Sequence, residues 1–249
     1  QLAKIGKPLD RGEWSMTPPT VNAYYSAQMN DINFPAGVLQ PPLYDPKMDD
    51  APNYGNTGGT IGHELTHSFD DEGRQFDARG NLKNWWTPKD NQRFNGRAQC
   101  IVRQYAGYTV VDDIKINSRL TLGEDIADLG GLVLAWTAWK VQTAAVAPQS
   151  RDGLSPEQRF FVGFAQWACE NNRPEDMRVK AVTRIHPAAT ASTACWRTCP
   201  SLPRPSPASP VRPWCRPGRA GSGEVGAGGC STIAIKNIVS YPYSTRAIA

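Results

Sequence analysis

Ile61-Gly62-His63-Glu64-Leu65-Thr66-His67-Ser68-Phe69-Asp70-Asp71 is the stretch whose reading decides the fold. Two imidazoles four residues apart fall on one face of a helix and can share a metal ion, with Glu64 between them facing that metal. Zinc suits the pair. Neutral imidazole is a good zinc ligand, and two His with a third protein ligand leave a fourth position for water. The chemistry of such a centre is hydrolysis. The bland alternative is a helix carrying two ordinary histidines, and a second motif downstream weighs against it.

That motif is Thr121-Leu122-Gly123-Glu124-Asp125-Ile126-Ala127-Asp128, in which Glu124 and Asp128 stand at i and i+4 and share a helix face. Alone, the pair reads as an exposed acidic face. Beside the His63/His67 pair, Glu124 can be the third zinc ligand, while Asp128, one turn on, can accept the free ring N–H of a ligand histidine and fix its tautomer.

At this point the chain resembles the neprilysin and endothelin-converting-enzyme zinc metallopeptidases. The resemblance rests on Val21-Asn22-Ala23-Tyr24-Tyr25, on Phe34-Pro35-Ala36-Gly37-Val38-Leu39-Gln40-Pro41-Pro42, on the two motifs above, and on Gly80-Asn81-Leu82, Trp85-Trp86, Phe160-Phe161 and Phe164-Ala165-Gln166. It implies one zinc ion per chain held by His63, His67 and Glu124, with Glu64 as general base and Asp128 orienting a ligand histidine. It places Asn22 and Ala23 on an edge strand that hydrogen-bonds the substrate backbone, a form of strand addition. The residue types carry the same mechanism: zinc polarises the peptide carbonyl and acidifies its water, and Glu64 moves that water's proton to the leaving amine. The implied substrates are peptides. The implied setting is extracellular, periplasmic or membrane-anchored, and members of the family carry a large helical domain upstream of this part.

The coarse reading gives a mainly α protein with a small β-sheet, an α+β fold of the gluzincin, thermolysin-like kind, followed by an irregular tail. Residues 24–27 and 37–40 read as short strands. A helix starts near 57–59, where the Thr57 side chain can cap it, and carries His63 and His67. Thr87-Pro88 starts a helix over 88–105, with Thr as cap and Pro at the first helical position. A long apolar helix covers 120–141, and Ser155-Pro156-Glu157 opens another over 155–170, whose Phe160, Phe161, Phe164 and Trp167 form a buried stripe.

The catalytic part spans 1–183. From Arg184 the composition shifts to Pro, Ser, Ala, Arg and Cys, and 201–217 is too proline-dense for a helix or a central strand. A permitted codon choice for residues 184–211, read two nucleotides further on, yields HPSRRYRVNGVLANMPEFAPPFACQPGQ, text of the kind the family carries there. The expectation is therefore a shifted reading frame over 184–249. His186 falls three residues after Thr183, at the spacing of the family's transition-state histidine, and is the candidate for that role; Arg197 and Arg204 are not carried over as the family's substrate-binding arginine. The resemblance pairs Cys100 with a cysteine near the C-terminus, a partner expected to be lost here. Cys195, Cys199, Cys215 and Cys230 lack the paired spacing of a zinc cluster.

A net charge of +4, without basic residues interleaved with aromatics, gives no reason to invoke nucleic acid. No apolar run is long enough to span a membrane and no signal peptide opens the chain, which begins at Gln1. Oligomeric state is not legible. Three functions follow in order: a zinc endopeptidase, a catalytically impaired zinc-binding remnant of one, and an interaction protein using the proline-rich tail.

Overall fold

Asp49 opens the segment that carries the two histidines. Its side chain accepts the Ala51 N–H at 3.2 Å and caps α1 (Asp50–Asn53). One wide π-helical turn, Tyr54–Gly58, then leads without a break into α2 (Gly59–His67). The computed structural model describes residues 2–183.

Helix α4 (Leu122–Gln142) crosses α2, and the crossing is made of backbone. A Cβ on Gly131 would come within 2.5 Å of the Gly59 carbonyl oxygen and 2.6 Å of the His63 nitrogen. One on Gly62 would meet the Gly131 Cα at 2.8 Å, and one on Gly130 would meet Thr66 Oγ1 at 2.5 Å. At Gly62 and Gly131 the added carbon meets backbone, so no larger residue fits there without moving the helices apart, and their separation decides what Glu124 and Asp128 can reach.

The other helices build the core on which this crossing rests. Helix α3 (Pro88–Tyr105) begins where Thr87 Oγ1 accepts the Asp90 N–H and proline occupies the first turn, where no intrahelical donor is needed. Helix α5 (Pro156–Gln166) begins with a reciprocal capping box between Ser155 and Gln158. Phe94, Ile101 and Tyr105 of α3, Leu129, Leu132 and Trp139 of α4, and Phe160, Phe161 and Phe164 of α5 form one buried cluster. A short helix α6 (Pro174–Lys180) follows. Arg74, in the loop after α2, lays its guanidinium 4.2 Å from the Phe94 ring centroid and donates to Asn91 Oδ1, fastening that loop to α3.

Among the described residues the strands form two antiparallel hairpins: β1 (Tyr24–Ser26) with β2 (Asp31–Asn33), and β3 (Thr109–Val111) with β4 (Ile114–Lys115). The fold is thus mostly helical with small two-stranded sheets, as the sequence suggests. Several local expectations need correction. Residues 37–40 do not form a strand; Ala36–Val38 is a 3-10 turn, and the partner of β1 is Asp31–Asn33. The reason is local: Gly37 packs its backbone against Pro19, where a Cβ would lie 2.5 Å from the carbonyl oxygen, and the prolines at 35 and 41 leave too little chain for a ladder. Thr57 does not cap α2, because the chain is already helical there and its Oγ1 donates to the Leu43 carbonyl. Trp167 is half-buried rather than part of the Phe160 cluster. Cys100 and Cys169, the cysteines among the described residues, are both disulfide-bonded, so Cys100 is not left as a free thiol; the expected loss of its C-terminal partner concerns residues outside the described ones. His186, the tail over 184–249 and its four cysteines lie outside the described residues.

Gly131→Ala is expected to lower the thermal midpoint by an amount corresponding to about 1–3 kcal/mol or more, because the new methyl meets rigid backbone. Gly96→Ala, in the middle of α3 with nothing within 4 Å of the added carbon, should stabilise by about 0.4–1 kcal/mol. Paired thermal melts check both, and shifts of the same sign would contradict the crossing described here.

Candidate metal centre

His63 and His67 project from consecutive turns of α2, with their Nε2 atoms 3.0 Å apart and their rings edge to face. From α4, Glu124 brings one carboxylate oxygen to 3.4 Å from His63 Nε2 and the other to 4.0 Å from His67 Nε2. One ligand atom from each of the three lies within 4.8 Å of the others, and this is the one such grouping among the described residues.

The opposite edges of the rings decide what the site can hold. His63 Nδ1 lies 2.9 Å from Asp128 Oδ1, and His67 Nδ1 lies 2.7 Å from Asp70 Oδ2. A carboxylate only accepts, so each neutral ring carries its N–H on Nδ1 and its lone pair on Nε2. Two nitrogen lone pairs and a carboxylate therefore converge on one point, an arrangement that repels itself unless a cation sits there. Two neutral imidazole nitrogens and a carboxylate oxygen, with both rings held by further carboxylates, form a donor set that zinc takes. The residues fit the metal.

Without the metal, a proton does part of this work. Burial works against a charged His63, but hydrogen bonds to Asp128 and Glu124 outweigh it and hold the ring's pKa well above the ordinary histidine value. Glu64 is buried, and burial is the largest influence raising its carboxyl pKa. The neighbouring imidazoles and the Tyr25 backbone N–H, which donates to Glu64, offset this only in part.

The three ligand candidates, with Glu64, Asp70 and Asp128, line a cleft of about 640 Å³. Asn22 and Ala23 line it too, but they precede β1 rather than lying within it, and the Ala23 N–H is bonded to Asn22 Oδ1 at 2.9 Å. Asp70 has a part that the sequence reading did not assign. A carboxylate three residues beyond His67 was visible, but its turn back onto the ring depends on how the chain leaves α2. There Gly73 packs so closely that a Cβ would lie 1.8 Å from the His67 carbonyl oxygen.

A helix-borne His-Glu-x-x-His with a glutamate from a second helix places the chain in the class of zinc metallopeptidases. Residues 22–197 match the model of peptidase family M13, and the chain belongs to that family. The match continues past Thr183, where the composition changes. An endothelin-converting enzyme homolog of Locusta migratoria is 44% identical over 182 residues, covering 72% of this chain and 25% of the relative. Human endothelin-converting enzyme 1 is 44% identical over 186 residues, covering 74% and 24%. Zinc metalloprotease Zmp1 of Mycobacterium tuberculosis, solved with an inhibitor, superposes with a TM-score of 0.74 at 42% identity over 79% of this chain and 31% of that one. PepO from Lactobacillus rhamnosis gives 0.67 at 37% identity over 77% and 29%. The chain thus spans about a quarter of the length of these curated relatives. No helix among the described residues is long and apolar enough to cross a membrane.

Zinc uptake is expected to release protons, because a His63 held protonated above its ordinary pKa must give up that proton to become a ligand. Apparent affinity should therefore fall as pH drops through the raised folded pKa. In the metal-free chain the same shift stabilises the fold fully below the unfolded histidine pKa, and that contribution is lost as pH rises through the folded value. Titration calorimetry in two buffers of different ionisation enthalpy measures the release; identical enthalpies in both would contradict it.

Proposed function

We propose that the chain is the catalytic part of a zinc metalloendopeptidase, with His63, His67 and Glu124 holding the metal and Glu64 acting as general base. The observation that carries this reading is the convergence of the two Nε2 lone pairs and the Glu124 carboxylate beside a buried Glu64 in an open cleft. When bound, zinc supplies a Lewis acid that polarises the scissile carbonyl and acidifies the attacking water. Glu64 accepts the water proton on its carboxylate and passes it to the leaving nitrogen, a role helped by the burial that raises its pKa. Asp128 and Asp70 hold the imidazoles in the tautomer that turns Nε2 toward the metal. Asn22 and Ala23 line the cleft just before β1, and in this reading they receive the substrate backbone as an added strand, the Ala23 N–H exchanging its bond to Asn22 Oδ1 for one to the substrate.

Glu64→Gln should retain one zinc per chain and abolish peptide hydrolysis, since the amide keeps the shape and loses the proton acceptor. His63→Ala, His67→Ala and Glu124→Ala should each lose most of the zinc, and Asp128→Asn or Asp70→Asn should weaken it by about 10 to 100-fold. Metal analysis paired with peptide cleavage tests the set. Cleavage by Glu64→Gln at the parent rate would end the mechanism, and full zinc in Glu124→Ala would remove that residue as ligand.

A second reading, favoured by the change of composition past Thr183, is a chain that binds zinc but turns over poorly. Loss of one oxyanion donor costs about 10² to 10³ in rate, and the donors expected from the resemblance fall in the region where the reading-frame shift is proposed. One zinc per chain without cleavage distinguishes this case, and DNA sequence across codon 184 tests the shift itself. The disulfide-bonded Cys100 and Cys169 support an oxidising compartment outside the cytosol, as the resemblance implies.

A further inference from the structure

Helix α2 fixes the Glu64 backbone, but the side-chain torsions between that backbone and the carboxylate remain to be fixed by something else. A strand does this. The Tyr25 backbone N–H donates to the Glu64 carboxylate, and both residues line the cleft. Tyr25 is the middle residue of β1, paired with Ile32 of β2, and on the open side of an edge strand every second residue offers its N–H. Whatever holds Tyr25 therefore holds the carboxylate.

Two strands of three residues each are too short to keep a position by pairing alone. The hairpin is fastened at its tip and at Tyr25. At the tip, Asn30 has a left-handed φ of 50°, which its short polar side chain tolerates, and its Nδ2 donates to the Ala78 carbonyl at 3.3 Å. Gly80 packs there so closely that a Cβ would lie 1.8 Å from the Gln28 carbonyl oxygen. At Tyr25, the phenol hydroxyl donates to Asn30 Oδ1 at 3.3 Å and hydrogen-bonds the Ser68 side chain. Burial is the largest influence raising the pKa of that phenol, so the hydroxyl keeps its proton and stays a donor. Glu64 and Ser68 stand four residues apart, about 6 Å along the helix axis, and face the same side. Tyr25 thus lies along one turn of α2, with its main chain at Glu64 and its hydroxyl at Ser68.

We infer that Tyr25 is a positioning residue for the reaction: its hydroxyl, held by Ser68 and Asn30, keeps β1 against α2 so that its own backbone N–H aims the Glu64 carboxylate. The inference rests on the reading of Glu64 as general base and adds the residue that orients it. Removing the hydroxyl leaves the ring and the backbone donor in place but loosens the strand that carries the donor. A small misplacement of the base is felt in turnover, while the zinc ligands, which come from the two helices, keep their geometry.

The test uses the full zinc-loaded chain as parent, Tyr25→Phe, Ser68→Ala and the double variant. NMR hydrogen exchange reads the residue 25 amide directly, with the amide of Ala127, buried in α4, as internal reference; an internally quenched peptide with a central Phe gives kcat and KM. Each single variant is expected to speed exchange at residue 25 about tenfold and to lower kcat about three- to tenfold, the scale of one hydrogen bond. Zinc content, KM and exchange at Ala127 should stay nearly unchanged. The double variant should match Tyr25→Phe, because both changes remove the same bond. Exchange at residue 25 at the parent rate in both single variants, an unchanged kcat, additive losses, or zinc lost along with kcat would overturn the inference. Faster exchange in the variants of a parent that cleaves nothing would support the clamp and count instead against the proposed turnover.

Discussion

The contact on which the site depends is the crossing of α2 and α4, backbone to backbone at Gly62 and Gly131, with Gly130 seated on the Thr66 side chain. Side chains of ordinary size at the crossing hold helix axes about 8–10 Å apart, and the glycines remove that spacer. The two helices approach until Glu124 reaches both Nε2 atoms and Asp128 reaches His63 Nδ1. Each helical glycine costs about 1 kcal/mol relative to alanine. The chain carries them where the site needs closeness, and recovers stability in the aromatic cluster of α3, α4 and α5 behind the crossing.

The two imidazoles are oriented by carboxylates of different origin. Asp128 comes from α4, so the His63 tautomer reports the helix crossing. Asp70 comes from the chain just beyond α2, so the His67 tautomer reports how that helix ends. Because Asp70 also holds the Glu72 and Gly73 amides, the geometry of the metal-facing ring and of the cleft wall past it are set by a single side chain.

Local signals were legible in the sequence, and tertiary ones were not. The start of α3 could be read because Thr87-Pro88 is a self-contained cap, and the grouping of His63, His67 and Glu124 could be read because helical periodicity alone aligns the pair and the Glu124 motif repeats that logic. Asp128 was visible one turn past Glu124. Asp70 was not assigned, because its reach to His67 requires the tight exit past Gly73. The glycine crossing escaped for the same reason: Gly130-Gly131 inside an apolar helix marks a close approach, but not of what. The segment 37–40 reads as a strand by composition, yet only Val38 of Ala36–Val38 is buried, and the backbone there packs against Pro19 instead of a neighbouring strand.

The central claim is that the crossing and the two carboxylates turn both Nε2 atoms and Glu124 onto one point. A crystal structure of the zinc-loaded chain with anomalous data collected at the zinc edge tests this most directly. The account predicts one anomalous peak bounded by His63 Nε2, His67 Nε2 and Glu124, with Asp128 and Asp70 still on the Nδ1 edges. A peak on an Nδ1 atom, or a zinc held without Glu124, would contradict it.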